Sequence, residues 1–262
     1  MVLPWLLNQW GKLMFNGKIK VSGREIPRTL LGTSPFIAAA QFGHRARLYQ
    51  LDLYNNPENI LKIIKKSNEM GVTGIQVIPY PPVVEALEWA LEAGINMEVI
   101  GTVRAGNENE DIKLLTDLGA SSMLLHAIIT DGKDWNFIEE KLQTIKDEGA
   151  IPGLVTHMPF SCTSSLMESP ILDLFDLYMV PVNKLGYLMD SDTYGSDERT
   201  KLNEMIKGLD KTVIAKKVLA AGILKPEEAF EYLKTVEFAD IVALGIASED
   251  EAIETFSLLA SG

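Results

Sequence analysis

The sequence contains one cysteine, Cys162, so no disulfide can form within the chain and no cysteine-based zinc site can assemble. A lone cysteine of this kind fits a reducing compartment, and a cytoplasmic protein is expected. Positive charge is also scarce. Lys and Arg total 24 against 36 Asp and Glu, a formal net charge of −12. Nucleic acid and anionic membranes would repel such a chain, so neither is expected as a partner. No apolar run approaches the ~20 residues needed to span a bilayer. The opening segment, Met1–Phe15, is apolar and holds Trp5 and Trp10, yet it lacks a basic stretch and a small-residue cleavage pattern. It is therefore expected to be a short helix packed on the fold or on a second copy, which would make a homo-oligomer. A glycine-rich dinucleotide fingerprint is missing too, since Gly32-Thr33-Ser34-Pro35 does not have that form.

What is present is a regular alternation of short apolar runs and amphipathic segments. Ser22-Gly23 marks a hairpin between 18–21 and 24–27. Strands are expected at 29–40, 73–78, 96–103, from 119 into the stretch 121–132, at 151–157, 176–183, 212–219 and 240–246. Helices follow each, including 82–93, 110–118, 135–148 and 196–208, with a weak segment at 161–169 readable as short helix or loop. Glycines 71, 94, 119 and 149 recur at about the length of one βα unit. Strict alternation implies a parallel sheet, and eight units imply closure into a (β/α)8 barrel, one domain over residues 1–262. The expected fold is thus an α/β TIM barrel with an N-terminal helix and a β-hairpin ahead of its first strand. An open doubly wound sheet is the alternative.

Ligands of such barrels bind where the strands end. All three histidines, His44, His126 and His157, fall at or just after expected strand C-termini. Arg45, Arg47, Arg104, Lys184, Lys216 and Lys217 gather on the same rim, which in an acidic protein would focus a small anion. Side-chain alternation allows only one of Lys216 and Lys217 to look into the mouth, as a base, a Schiff-base nucleophile or an anion contact. Gly245 and Ser248 open the last helix, whose free N–H groups are suited to a phosphate. His126 and His157 lie on adjacent strands and are candidate ligands of a divalent metal, with His44, Glu98 or Asn183 as the third. Without a metal they would hold a substrate oxygen or move a proton. Cys162 is expected to be inert.

At these residues the chain resembles the aldo-keto reductases, nearly end to end. The hairpin leading into Leu31-Gly32-Thr33, Leu124-Leu125-His126, Phe175-Asp176 with Pro181-Val182-Asn183, Val213 to Leu219, and Gly245-Ile246-Ala247-Ser248 with Glu251 carry the resemblance. It implies a (β/α)8 barrel whose floor is closed by the N-terminal β-hairpin, and carbonyl reduction with NAD(P)H. The family's reaction uses Asp, Tyr, Lys and His. Here the matching motifs place Gln76 at the Asp, Pro81 at the Tyr with Tyr80 beside it, and Val103 at the Lys; only His126 stands. Met179 falls where a glutamine would bind the nicotinamide amide, and Lys216 where an often aromatic residue packs on the ring.

These departures favour a small-molecule enzyme of non-redox chemistry, a lyase, isomerase or hydrolase of an anionic metabolite. His126, His157 and Lys216 would be its catalytic residues, with Gln76, His44, Arg45, Arg104 and Asn183 as substrate contacts. The alternatives are a divergent reductase using Tyr80 and His126, and a non-catalytic binding or assembly barrel.

Overall fold

The protein, seen in a computed structural model, is described over residues 15–261. The segment expected to form an N-terminal helix and an oligomer contact lies outside the described residues, apart from Phe15. β1 (Lys18–Val21) and β2 (Arg24–Pro27) pair antiparallel about Ser22 and Gly23, which take φ of 45° and 87°. Two positive φ values in a two-residue turn match the twist of the flanking strands.

Eight parallel strands follow and close on themselves. They are β3 (Thr29–Gly32), β4 (Gly74–Val77), β5 (Glu98–Val103), β6 (Ser122–Leu125), β7 (Ile151–Val155), β8 (Leu177–Pro181), β9 (Thr212–Lys216) and β10 (Ile241–Gly245). Sequence neighbours are sheet neighbours, and β10 pairs with β3 to complete the ring. This is the expected (β/α)8 barrel. Each strand is nearly all apolar because one face packs on helices and the other fills the barrel. Leu30, Ile100, Leu124, Leu177, Ile214 and Ile241 belong to the inner set, together with Val21 and Ile26 of the hairpin. Arg24 donates to the Gly149 carbonyl at 2.6 Å and Arg28 to the Asp240 carbonyl at 2.9 Å, just ahead of β7 and β10. The hairpin therefore sits at the N-terminal floor, leaving the opposite end for ligands.

Outside the barrel, α2 (Pro57–Glu69) buries Ile60, Ile63, Ile64 and Ser67. α3 (Pro81–Glu92), α4 (Glu108–Asp117), α6 (Trp135–Asp147), α8 (Ser196–Gly208), α9 (Pro226–Leu233) and α10 (Glu249–Ser261) complete the repeating layer. Among the described residues no helix is long and apolar enough to cross a membrane.

Several boundaries differ from expectation, mostly at strand C-termini. The first barrel strand stops at Gly32 rather than running to residue 40, and Thr33 begins a series of turns. The chain beyond those turns forms α1 (Arg45–Tyr49), continued by one π-helical turn, Gln50–Tyr54. The stretch 121–132 is not a single strand. It splits into β6 and a short helix, α5 (Ala127–Gly132), with His126 between them. The weak segment near 161–169 is helix α7 (Pro159–Met167). Apolar runs at the rim are helical here because short helices also bury them.

Gly153 tests how full the interior is. A Cβ there would lie 2.8 Å from Leu124 Cγ and 2.9 Å from the Leu177 carbonyl oxygen. Gly153→Ala should destabilise the barrel by about 1–3 kcal/mol, lowering the thermal midpoint by roughly 2–4 °C per kcal/mol. Differential scanning calorimetry reads it directly, and an unchanged midpoint would show slack where close packing is expected.

Candidate functional site

Strand alternation decides what hangs over the barrel mouth. Continuing the inward set to the strand ends gives Gln76, Thr102, His126, His157, Met179, Lys216 and Gly245, and all seven line one cavity of about 550 Å³. Loops and helices add Arg45, Tyr49, Lys217, Lys225 and the carboxylates Glu227, Glu251 and Glu254.

His126 follows β6 directly and caps α5. Its Nδ1 accepts the Ile128 N–H at 3.2 Å. That bond leaves the proton of the neutral ring on Nε2, which becomes a donor. The His157 ring stands 5.7 Å away, edge to face at 82°. Behind the pair, Asp131 of α5 accepts the Thr156 hydroxyl at 2.5 Å and the His157 backbone N–H at 3.0 Å. Gln76 donates to the Thr102 hydroxyl at 2.8 Å, a buried polar pair on the wall.

Both lysines line the cavity, contrary to expectation. The alternation rule ends with the strand. β9 stops at Lys216, and Lys217 takes a left-handed φ of 59°, which turns the chain so that consecutive side chains share one wall. Loss of hydration pushes the Lys216 ammonium well below its usual range; Lys217 adds to this and Asp131 opposes it. Burial likewise holds Lys217 down to about 8, again with Asp131 opposing. His126 is lowered first by burial and then by Lys216. His157 is lowered by lost hydration, Lys216, Lys217 and His126, though water reaching this exposed residue tempers the effect.

Other expected residues sit elsewhere. Arg45 reaches the wall, but its guanidinium donates to the Ala221 carbonyl. The Arg104 guanidinium is held by Asp111 at 2.9 and 2.7 Å and lies 4.7 Å from the Tyr80 ring centroid. Tyr80 also packs edge-on against Tyr54 at 6.4 Å, so neither Tyr80 nor Arg104 faces the cavity. Asn183 is buried and turns its own loop. It accepts the Leu185 and Tyr187 N–H groups at 3.2 and 2.8 Å and donates to the Tyr187 carbonyl at 3.1 Å. His44 precedes α1 and is off the wall, and Glu98 opens β5 at the floor end. Gly245 is on the wall, but the Ser248 hydroxyl accepts the Glu251 N–H at 3.1 Å, and Glu251 accepts the Ala247 N–H at 2.8 Å. The start of α10 is thus satisfied by its own side chains.

Asp131, Thr156, Glu227 and Glu254 were not singled out from sequence. Asp131-Gly132 has the look of a turn, and only the helical path of 127–132 brings that carboxylate behind the histidines.

A metal does not fit these residues. Among the described residues no group of three His, Cys, Asp or Glu is placed to hold an ion, and two lysines flank the imidazoles instead. The nicotinamide coenzyme implied by the family resemblance does not fit either. Met179 offers the amide no hydrogen-bond partner, and Lys216 stands where the ring would pack.

No protein-family model and no curated protein matches the chain. Solved structures do match its fold. A Pseudomonas aeruginosa protein assigned to the aldo-keto reductases superposes with a TM-score of 0.63 at 16% identity, covering 94% of this chain and 95% of its own. A glycerol dehydrogenase of Gluconobacter oxydans gives 0.61 at 14%, covering 94% and 90%. A deoxyribose phosphate aldolase of Aeropyrum pernix gives 0.52 at 16%, covering 78% and 85%. The barrel is aldo-keto-reductase-like, and these likenesses are of fold.

Two outcomes follow from the electrostatics. In an NMR titration, His126 and His157 should both show midpoints below the usual 6.5; a midpoint at or above that value would contradict the cationic surroundings. Asp131→Asn removes the anion that favours the ammonium, so the inflection of Lys217 should move below about 8. The pH dependence of amine labelling, followed by peptide mapping, measures it, and an upward move would be wrong in sign.

Proposed function

We propose that the protein is an enzyme acting on a small anionic metabolite by non-redox chemistry, as a lyase, isomerase or hydrolase. The observation that carries this reading is the convergence of Lys216, Lys217, His126 and His157 on one cavity wall. Lys217, still cationic over much of the neutral range, is the contact for the anion. The Nε2–H of His126 is the donor for a substrate oxygen, and His157, kept neutral, is suited to accept a hydrogen bond from the substrate. Gln76 and Thr102 add polar contacts on the same wall.

Carbonyl reduction is the weaker reading. Tyr80 packs outside the cavity, so it is poorly placed as a proton donor. Tyr49 does reach the wall, but burial and Glu251 raise its pKa, the opposite of activation. The buried Cys162 thiol, pushed up to about 11 mainly by burial, fits an inert residue in a cytoplasmic protein.

Thermal-shift and native mass spectrometry assays against small carboxylates, small phosphates and NADPH test the proposal. An anion should raise the midpoint, as any ligand of the folded state does. Lys217→Ala should weaken that anion by about tenfold, the loss of one charged hydrogen bond. Tight NADPH binding with no response to anions would reverse the conclusion.

A further inference from the structure

We propose that Lys216 is a Schiff-base lysine, whose amine adds to the carbonyl carbon of an aldehyde or ketone bearing an anionic group held by Lys217. The inference rests on the reading of the cavity as an anionic-metabolite site.

Placement comes first. Lys216 ends β9 on the inward face, opposite Pro181 of β8, and contributes to the cavity wall. Among the described residues it makes no ion pair. Asp131, the carboxylate that favours its charge, is already bonded to Thr156 and the His157 N–H. A lysine partly withdrawn from water beside a second cation favours the free amine, which is the nucleophilic form.

The backbone supplies an independent sign. Lys217, Ala220 and Ala221 all take positive φ, at 59°, 46° and 55°. Three left-handed non-glycine residues so close together are costly, and such strain collects at functional sites. Here it sets two consecutive lysines on one wall. A regular strand would have turned Lys217 outward, leaving Lys216 without its cationic neighbour and the substrate without its anchor.

The chemistry balances without an added oxidant or reductant. The Lys216 Nζ lone pair forms the C–N bond while the carbonyl π pair moves to oxygen, which the His126 Nε2–H orients. A proton passes from nitrogen to that oxygen, giving a carbinolamine. The nitrogen pair then forms C=N as the C–O bond breaks, and the hydroxyl leaves as water with one proton taken from solvent at the open mouth. In sum, amine, carbonyl and one proton give iminium and water. The iminium next accepts the electron pair of a neighbouring C–H bond, whose proton passes to water, giving an enamine; this is the opening step of isomerase or lyase chemistry.

Borohydride trapping tests this on the full-length protein. Pyruvate and glyceraldehyde 3-phosphate serve as carboxylate and phosphate carbonyl probes, and lactate as an anion without a carbonyl. Reduction should leave one stable adduct, which peptide mass spectrometry locates at Lys216 with one of the two carbonyl probes. Lys216→Met keeps an uncharged side chain of similar length and should abolish it. If lactate or either carbonyl probe raises the thermal midpoint but borohydride traps nothing, or traps only Lys217 or surface lysines, the Schiff-base proposal is overturned and the anion site stands. If no anion binds and nothing is trapped, both fall.

Discussion

A cation at the end of a barrel strand is surrounded by protein on every side but the mouth. It must find a counter-charge, keep some water, or yield its proton. That constraint organises this rim. Lys216 and Lys217 share one carboxylate, Asp131, which is itself fixed by Thr156 and the His157 backbone. Lost hydration first, and the lysines after it, keep both imidazoles from charging. Changing the charge of Asp131 or of Lys217 therefore shifts the protonation of their neighbours in the cluster.

Most of the fold was legible in the sequence because a parallel barrel writes the same message eight times. A buried strand needs an apolar run, and a helix that covers it needs one apolar face with a stop. Ile60, Ile63, Ile64 and Ser67 show such a face, and they are the residues that α2 buries. The strand ends were less legible. Ala127, Ile129 and Thr130 are as buried as the strand before them, so hydrophobicity alone cannot say where β6 stops and α5 begins.

The candidate site was legible in part, for a related reason. Residues on the inward face at a strand end, His126, His157, Gln76 and Lys216, follow from alternation, and these reached the cavity. Residues on the connecting loops do not obey it. Arg104 and Asn183 look like rim contacts in sequence, yet each is held by local partners, Asp111 for one and the turn at Tyr187 for the other. Asp131 was hidden because its partners lie across a helix and a neighbouring strand. The acidic surface also gains meaning only with the structure. A net charge of −12 repels anions at a distance, while the lysines at the mouth attract them near by, so entry depends on a local field rather than the overall charge.

The ring of strands has a seam, where Thr29–Gly32 meets Val242–Gly245. Every other barrel contact joins strands close in sequence; this one joins the first strand to the last. Until Ile241–Gly245 has been synthesised, β3 and β9 each present an unpaired edge, and exposed edges recruit other chains. Ribosomal synthesis therefore carries the nascent barrel through a long open stage that ends only with its last strand. A ribosome pausing late in the message would prolong the interval in which the chain is most in need of a chaperone.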